Sequence, residues 1–397
     1  MWIYYFVFSA IIYIGITQDK EGDECVFTYT NTLGRCKKAT ECESAKIQSR
    51  QNGILPTICS DADPFSGVLI CCTDGNNIFQ AGNTKDVNGS RVWEIAKETN
   101  KRVSEIKCEE YSQDVTKILS VLPLQTEEGR KLYQYKTSKC KYKYSRIQLI
   151  IGGSVAEVEE FPHMAAIGYV NFDTYSFLCG GTLISEKFVL TAAHCCTGSI
   201  APEIVRLGDH NLDPSVNDGA TPRDVGIREK YVYPDYDSPR PYHDIALLEL
   251  ISDVPFSSGI RPACLWHQDG VGEYTKAIVT GWGITNSRPS STPSKILKKA
   301  ALDLFDNDFC DSLLPGNTHF VGFTDSQICA GYLGGGQDTC QGDSGGPLQV
   351  TSSENKCIFY VMGVTSLGKS CGDKDTPAIY TRVSSYIEWI EPIVWPK

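Results

Sequence analysis

At 397 residues the chain exceeds one average domain and has room for about three at most; its 41% hydrophobic content is ample for a packed core. A formal net charge of -11 and an isoelectric point near 5.1, with no basic stripe, exclude a nucleic-acid surface. The 17 cysteines fit an oxidising, extracellular destination, where disulfides persist.

Residues Trp2 to Ile16 form a nearly unbroken apolar run directly after Met1. It is too short to span a bilayer comfortably and stands where a secretory signal stands, so residues 1–17 are read as a signal peptide and the remainder as secreted. No Lys or Arg precedes the run, which leaves a retained anchor as the alternative. After signal removal no membrane span is expected. Next come Cys25, Cys36, Cys42, Cys59, Cys71 and Cys72, a cluster over 25–72 that describes a small domain with too little apolar core to fold unaided. Adjacent cysteines rarely bridge each other, so Cys71 and Cys72 are expected to leave for different partners. A zinc site is disfavoured because no His ligand lies nearby.

Residues 73–149 are polar, rich in Lys, Glu and Ser, and without strand-like alternation. They read as an exposed linker or propeptide with one or two helical stretches, such as Val103 to Leu122. Asn88-Gly89-Ser90 is a glycosylation sequon within it. From Ile150 to Lys397 short apolar runs alternate with Gly, Pro, Asn and Asp turns; Phe188 to Leu190, Ala277 to Thr280 and Phe359 to Val364 are examples. That spacing predicts an all-β sandwich or barrel. Tyr386 to Ile390 predicts a terminal amphipathic helix stopped by Pro392.

Three motifs in this last region carry the chemistry: Thr191-Ala192-Ala193-His194-Cys195, Asp244-Ile245-Ala246-Leu247-Leu248 and Gly342-Asp343-Ser344-Gly345-Gly346-Pro347. A serine hydroxyl is a poor nucleophile alone and needs an imidazole in reach, with a carboxylate to fix the imidazole's tautomer. Ser344, His194 and Asp244 supply those parts. The other histidines, His163, His210, His243, His267 and His319, lack such context and read as structural or surface residues, His243 included although it adjoins Asp244. A phosphate cradle around Ser344 is ruled out because no Gly-Lys-Ser/Thr follows.

These motifs resemble the chymotrypsin-like (trypsin-family) serine proteases. The resemblance implies two six-stranded antiparallel β-barrels with the site in the cleft between them, a C-terminal helix, and an oxyanion hole from the N–H groups of Gly342 and Ser344. It places Asp338, six residues before Ser344, at the base of a pocket for Arg or Lys, with Ser366 and Gly368 along the pocket wall and the strand that pairs with substrate. Two positions depart from the family pattern. Ala378 stands where Gly is usual and directs a methyl group at the pocket; Leu367 replaces an aromatic residue. Disulfides implied in the catalytic domain are Cys179 with Cys195, Cys310 with Cys329, and Cys340 with Cys371.

The cysteine cluster resembles the clip domain of arthropod protease zymogens, whose pairing carries over as Cys25 with Cys71, Cys36 with Cys59 and Cys42 with Cys72. Ile150-Ile151-Gly152-Gly153 resembles the family's mature N-terminus, whose new ammonium inserts beside Asp343. Leu149 precedes it where Arg or Lys is usual, so the activating protease is expected to prefer an apolar residue. Cleavage after Arg146 is the rival. With Phe161-Pro162-His163-Met164, this Leu-Ile junction is similar to clip proteases of the Snake and Persephone type. Cys264 matches the position that tethers the propeptide, with Cys108 the preferred partner and Cys140 the alternative; Cys196 and Cys357 are left unassigned, and one cysteine is left odd.

The function expected is therefore a secreted zymogen of a trypsin-like endopeptidase that activates downstream protease zymogens in an extracellular cascade, immune or developmental. Its partners would be an upstream protease, a downstream zymogen and a serpin-type inhibitor. The alternatives are a non-catalytic clip-domain binding cofactor, which usually lacks the nucleophile that Ser344 provides, and a venom or digestive protease. No cofactor or metal is expected; the acidic loop with Asp213, Asp218 and Asp224 lies where some relatives bind calcium, and a solvated loop is the preferred reading.

Overall fold

Runs of β-branched and aliphatic residues broken by turn residues give this chain many short strands rather than a few long ones. The computed structural model describes residues 24–27, 32–38, 42, 58–60, 69–72, 89–113, 116–121, 133–138, 140, 153–172, 174–284, 292–314, 318–334, 342–368 and 374–397. Two compact units emerge, Met1–Asn88 and Gly89–Lys397.

In the first unit β1 (Glu24–Phe27), β2 (Thr32–Lys38), β3 (Ile58–Ser60) and β4 (Leu69–Cys72) form an antiparallel sheet in the order β1-β2-β4-β3. Cys42 is bridged to Cys72 and both are buried. Cys36 is also disulfide-bonded. The side chains of Cys25, Cys59 and Cys71 lie outside the described residues, as do Asn88 and residues 1–17.

The second unit begins in the stretch expected as an exposed linker, and here the expectation needs correction. Residues 89–113 fold with the catalytic part of the chain as α1 (Gly89–Thr99) and α2 (Val103–Ser112). Asn100 takes the left-handed φ of 53° between them, a conformation Asn tolerates, and the Lys101 N–H closes back on the Ala96 carbonyl at 3.1 Å. Glu105 returns its carboxylate to the Arg102 N–H at 2.8 Å, which satisfies one orphan donor at the start of α2. The helix stops at Ser112 rather than Leu122. Thr116–Val121 instead forms β5, paired with β6 (Tyr133–Ser138); the period-2 pattern of Tyr133 and Tyr135 is the signal that a polar composition hid.

β7 (Ser154–Val155) leads into the first barrel, closed from β8 (Met164–Asn171), β9 (Thr174–Leu183), β10 (Phe188–Thr191), β11 (Pro202–Leu207), β12 (Arg223–Val232) and β13 (Ala246–Leu250), with α3 (His194–Thr197) after β10. Ile167, Leu183, Leu190, Leu207, Leu247 and Leu248 fill it, each fully buried. β14 (Cys264–Leu265) then pairs in parallel with the second sheet. That sheet contains β15 (Lys276–Gly281), β16 (Lys298–Phe305), β17 (Gln327–Gly331), β18 (Pro347–Thr351), β19 (Phe359–Leu367) and β20 (Ala378–Arg382), with α4 (Asn307–Leu313) before β17; pairing of β19 with β20 closes it. Trp266, Leu302, Ile328, Leu348, Met362 and Tyr380 form its core. This is the expected pair of six-stranded antiparallel barrels.

The terminal helix α5 spans Ile387–Val394 and contains Pro392 instead of ending at it. A proline inside a helix costs about 3 kcal/mol. Burial of Ile387, Ile390 and Val394 offsets that cost, and the Trp395 N–H closes the last turn on the Glu391 carbonyl at 2.9 Å.

Five disulfides join described cysteines. Cys179–Cys195 and Cys310–Cys329 staple the barrels, and Cys108–Cys264 ties α2 to β14. Cys140 pairs with Cys357, so it is not the partner of Cys264. Among the described residues Cys196 is the free thiol; it is buried, and burial pushes its pKa up to about 12. Cys340 and Cys371 lie outside the described residues.

The segment after residue 153 is fastened by a buried ion pair. Lys299 Nζ lies 2.5 and 2.8 Å from the two oxygens of Glu160, with side chains 4% and 1% exposed. Glu160→Ala leaves the ammonium buried and unpaired, and should cost about 3–5 kcal/mol of stability, read as a shift in the urea unfolding midpoint; a change under about 1 kcal/mol would mean that water reaches Lys299.

Candidate active site

Each residue of the three motifs stands at a strand end, where a side chain can face a cleft while its strand holds the backbone. His194 opens α3 just after β10, Asp244 precedes β13, and Ser344 precedes β18. The first two come from the first barrel and the third from the second.

Asp244 is 2% exposed. Its carboxylate accepts the His194 N–H at 2.9 Å through Oδ1, and the His194 ring Nδ1 lies 2.7 Å from Oδ2. Because the carboxylate can only accept, Nδ1 carries the proton and Nε2 is left with its lone pair toward the cleft. A third donor comes from the second barrel: Ser366 Oγ bonds Oδ2 at 2.5 Å. Ser366 was expected along the substrate pocket, and the structure turns its hydroxyl onto Asp244. Thr381 Oγ1, from β20, donates to the Asp244 main-chain carbonyl at 2.8 Å. Sequence reasoning missed Thr381 altogether, since no motif marks a hydroxyl that bonds a backbone atom 137 residues away.

The Ser344 turn is clamped across the cleft by backbone bonds. Gly180 N–H of β9 donates to Ser344 O at 2.7 Å, and Gly345 N–H and Thr365 N–H exchange bonds with β19 and the turn at 2.8 and 2.9 Å. Gly345 has a φ of 79°, and a Cβ there would lie 2.1 Å from Thr191 Oγ1, so only glycine fits. Asp343 accepts the Gly283 N–H at 2.8 Å; a Cβ on Gly283 would sit 2.4 Å from that carboxylate. Among the described residues, the N–H groups of Gly342 and Ser344 donate to no protein acceptor. Ser344 Oγ likewise makes no hydrogen bond among the described residues, so the structure brings His194 and Asp244 into contact and leaves the serine unlinked.

Asp338, Leu149 and Ile150 lie outside the described residues. Ala378 is fully buried in the core of the second barrel, while Leu367 and Gly368 are exposed at the end of β19. The three loop acids hold local partners: Asp224 makes a two-point contact with Arg206 at 2.7 and 2.8 Å, Asp213 accepts from Ser215, and Asp218 meets His210 at 3.1 Å. They do not converge on one point among the described residues. Among the described residues the one cluster of metal-ligating groups, Cys179, His194 and Cys195, combines a disulfide with the imidazole already described and has no thiolate to offer.

His163 is buried, with its ring 4.9 Å from that of Phe359. His243 stacks on Tyr233 and bonds Tyr386 at 3.0 Å. His267 meets Glu105 at 3.3 Å, and His319 is exposed. All therefore have structural or surface settings.

Residues 150–390 match the family model for Trypsin. The chain belongs to the trypsin family. It is 34% identical to Serine protease snk of Drosophila melanogaster over 384 residues, 95% of this chain and 80% of that protein. It is 41% identical to Serine protease Hayan of the same fly over 62% of this chain and 39% of that one. Venom serine protease Bi-VSP of Bombus ignitus is 38% identical over 60% of this chain and 66% of its own length. With the family comes serine endopeptidase activity, and trypsin-family members need no cofactor for it. No helix among the described residues is long and apolar enough to cross a membrane.

Titration of the site follows from its burial and its partners. Burial alone lowers the His194 pKa, but the hydrogen bond to Asp244 and that residue's charge outweigh it and leave the imidazole raised above 6.5. Protonated His194 cannot accept a proton, so kcat/KM should be lost as pH falls through a value above 6.5. The stability contributed by the charged pair runs the other way, being complete below the unfolded pKa and lost as pH rises through the folded one. Burial lowers His163 to about 4; its stability contribution is present above about 6.5 and lost as pH falls through about 4. A pH profile of kcat/KM together with thermal melts from pH 3 to 7 separates the two groups: the activity limb should lie above 6.5, and His163→Phe should flatten the pH dependence of the melting temperature between about 4 and 6.5 without moving that limb.

Proposed function

We propose that the chain is a secreted zymogen, cut between Leu149 and Ile150, whose mature form cleaves after Arg or Lys and activates downstream zymogens in an extracellular proteolytic cascade. The observation that carries the catalytic part is the buried Asp244 carboxylate. It holds the His194 ring by Nδ1 at 2.7 Å, within a cleft whose other wall is the clamped Ser344 turn. In this reading Ser344 Oγ attacks the scissile carbonyl while His194 Nε2 takes its proton and returns it to the leaving amine. Asp244 keeps the tautomer and stabilises the imidazolium. The N–H groups of Gly342 and Ser344 receive the oxyanion, each such donor contributing about 3 to 4 kcal/mol in the transition state.

Specificity is assigned to Asp338. A carboxylate at the base of a closed pocket is left unpaired by a neutral side chain, and that penalty rejects such substrates. The Ala378 methyl, fully buried in the core of the second barrel, is assigned to the inner wall of the same pocket, where it slows the enzyme or biases Arg against Lys. Activation is assigned to the Ile150 ammonium, inserted beside Asp343. With Leu149 before the cut, the upstream protease is one of apolar specificity, and self-activation by an Asp338 enzyme is disfavoured. Relatives named Phenoloxidase-activating factor 3, of Holotrichia diomphalia, and Proclotting enzyme, of Tachypleus tridentatus, support a place in a cascade, where a serpin-type inhibitor would end the signal. Calcium has no role in this reading, and Asn88 carries the glycan.

The test is hydrolysis of a peptide anilide ending in Arg, before and after the purified protein is cut at Leu149 by an apolar-specific protease. Activity should appear only after the cut, and Asp244→Asn should lower kcat by about 10⁴-fold, the loss seen when a serine protease triad loses its acid. Turnover by the uncut chain, or none once Ile150 is confirmed as an N-terminus, would overturn the activation and pocket assignments respectively.

A further inference from the structure

We propose that Tyr111, from the propeptide side of the cleavage point, is a positioning residue of the mature protease: it fastens the turn that feeds the His194 strand to the second sheet and to the C-terminal helix. The proposal rests on the triad reading above.

Two residues of α2 that stand three apart, Cys108 and Tyr111, share one face of the helix. Cys108 is bonded to Cys264, whose strand β14 pairs with β19 at Tyr360. One turn later the Tyr111 hydroxyl donates to Glu186 Oε2 at 2.8 Å and accepts from Trp395 Nε1 at 3.2 Å. The Tyr111 ring packs edge-on against Phe256 at 5.4 Å. A single turn of helix therefore holds the second sheet covalently and grips the first barrel and the chain terminus through one oxygen. Tyr111 is 8% exposed, so its bonds are shielded from water.

Both gripped segments run directly to the reacting groups. Glu186 lies in the turn between β9 and β10, and β10 ends three residues before His194. That turn is stiff: Val254 N–H bonds the Glu186 carbonyl at 2.7 Å and Phe188 N–H bonds Ser185 Oγ at 3.0 Å. At the other end, the helix that precedes Trp395 begins next to Tyr386, whose hydroxyl meets His243 Nδ1, the neighbour of Asp244, at 3.0 Å. Further contacts reinforce this docking: Trp93 Nε1 to the Trp395 carbonyl at 2.7 Å, the Ser104 N–H to Glu391 at 2.9 Å, and Arg102 to Glu388 at 2.6 Å. A cut at Leu149 removes none of this, because Cys108–Cys264 and Cys140–Cys357 both retain the propeptide.

The experiment uses the full-length protein cut at Leu149, with active sites titrated by an irreversible organophosphate so that kcat is expressed per competent site. Tyr111→Phe keeps the ring and removes the hydroxyl; kcat per site should fall about three- to tenfold, as expected for the net loss of one hydrogen bond, with KM within about twofold. Glu186→Ala should match it, and Glu186→Gln, which still accepts the bond, should stay within about twofold of the parent. A Tyr111→Phe enzyme that melts earlier but has an unchanged kcat per site would overturn the proposal, because a merely structural contact changes the number of competent sites and not their rate. If Tyr111→Phe does not accumulate, Glu186→Ala reads the same contact from the barrel side, and an unchanged kcat there overturns it equally. Ser344→Ala separates the two readings: turnover or labelling by that variant would overturn the triad itself, whereas an inert Ser344→Ala beside an unaffected Tyr111→Phe would overturn the positioning role alone.

Discussion

A carboxylate buried to 2% exposure is the constraint on which the rest of this molecule depends. Removing an ionised group from water costs several kcal/mol unless its oxygens are satisfied. Asp244 meets that requirement with donors from both barrels: the backbone and ring of His194 on one side and Ser366 of β19 on the other, with Thr381 of β20 on its main-chain carbonyl. Neither barrel could satisfy it alone. The interaction that orients the imidazole is thus also one that docks the two halves of the domain, so a loss of docking and a loss of catalytic geometry are the same event.

The opposite wall of the cleft is built from backbone instead of charge. Gly180, Gly345, Gly346 and Thr365 exchange main-chain bonds around Ser344, and Gly345 has no room for a Cβ beside Thr191. Backbone clamps lose little rotamer entropy when they form. They also fix the position of the Gly342 and Ser344 N–H groups without consuming them, which is what a preorganised anion site requires. Charge therefore positions the His194 ring and sterics position the Ser344 turn.

Much of this was legible in the sequence because strand, turn and catalytic motif are local signals. Phe188 to Leu190, Ala277 to Thr280 and Phe359 to Val364 announce their strands, and the barrels follow from the resemblance that the His194, Asp244 and Ser344 motifs carry. What could not be read depends on distant partners. Ser366 looks like a pocket residue until Asp244 is placed beside it. Pro392 looks like a helix stop until burial of Ile390 and Val394 is weighed against it. The stretch from Gly89 to Ser112 looks like a tether because its polar residues are counted one by one; Val92, Val103, Cys108 and Tyr111 form a buried face only when the catalytic unit is present to cover them. The pairing of Cys140 with Cys357 spans 217 residues and has no local signature at all.

If the chain is activated as proposed, by a cut between Leu149 and Ile150, that last bridge constrains how the switch works. The proposed cut falls between two anchors: Cys140, bonded to Cys357, and Ser154 and Val155, paired to β16 at Lys299 and Lys298. Both anchors lie on the second sheet or the turns that join its strands. Cutting between them frees two chain ends without freeing either anchor, so little loop-closure entropy is released to drive a large rearrangement. In that proposal the energy for activation comes instead from the new charge itself, an ammonium that exists only after the cut. In the same proposal its partner is Asp343, whose carboxylate accepts the Gly283 N–H on the loop that follows β15, a strand of the sheet that both anchors adjoin. On that proposal, anchors on both sides of the cut favour a small, local reordering of the Ser344 turn over a rotation of one barrel against the other, and the docked α1 and α2 stay in place to hold the His194 side still while the Ser344 side reorganises.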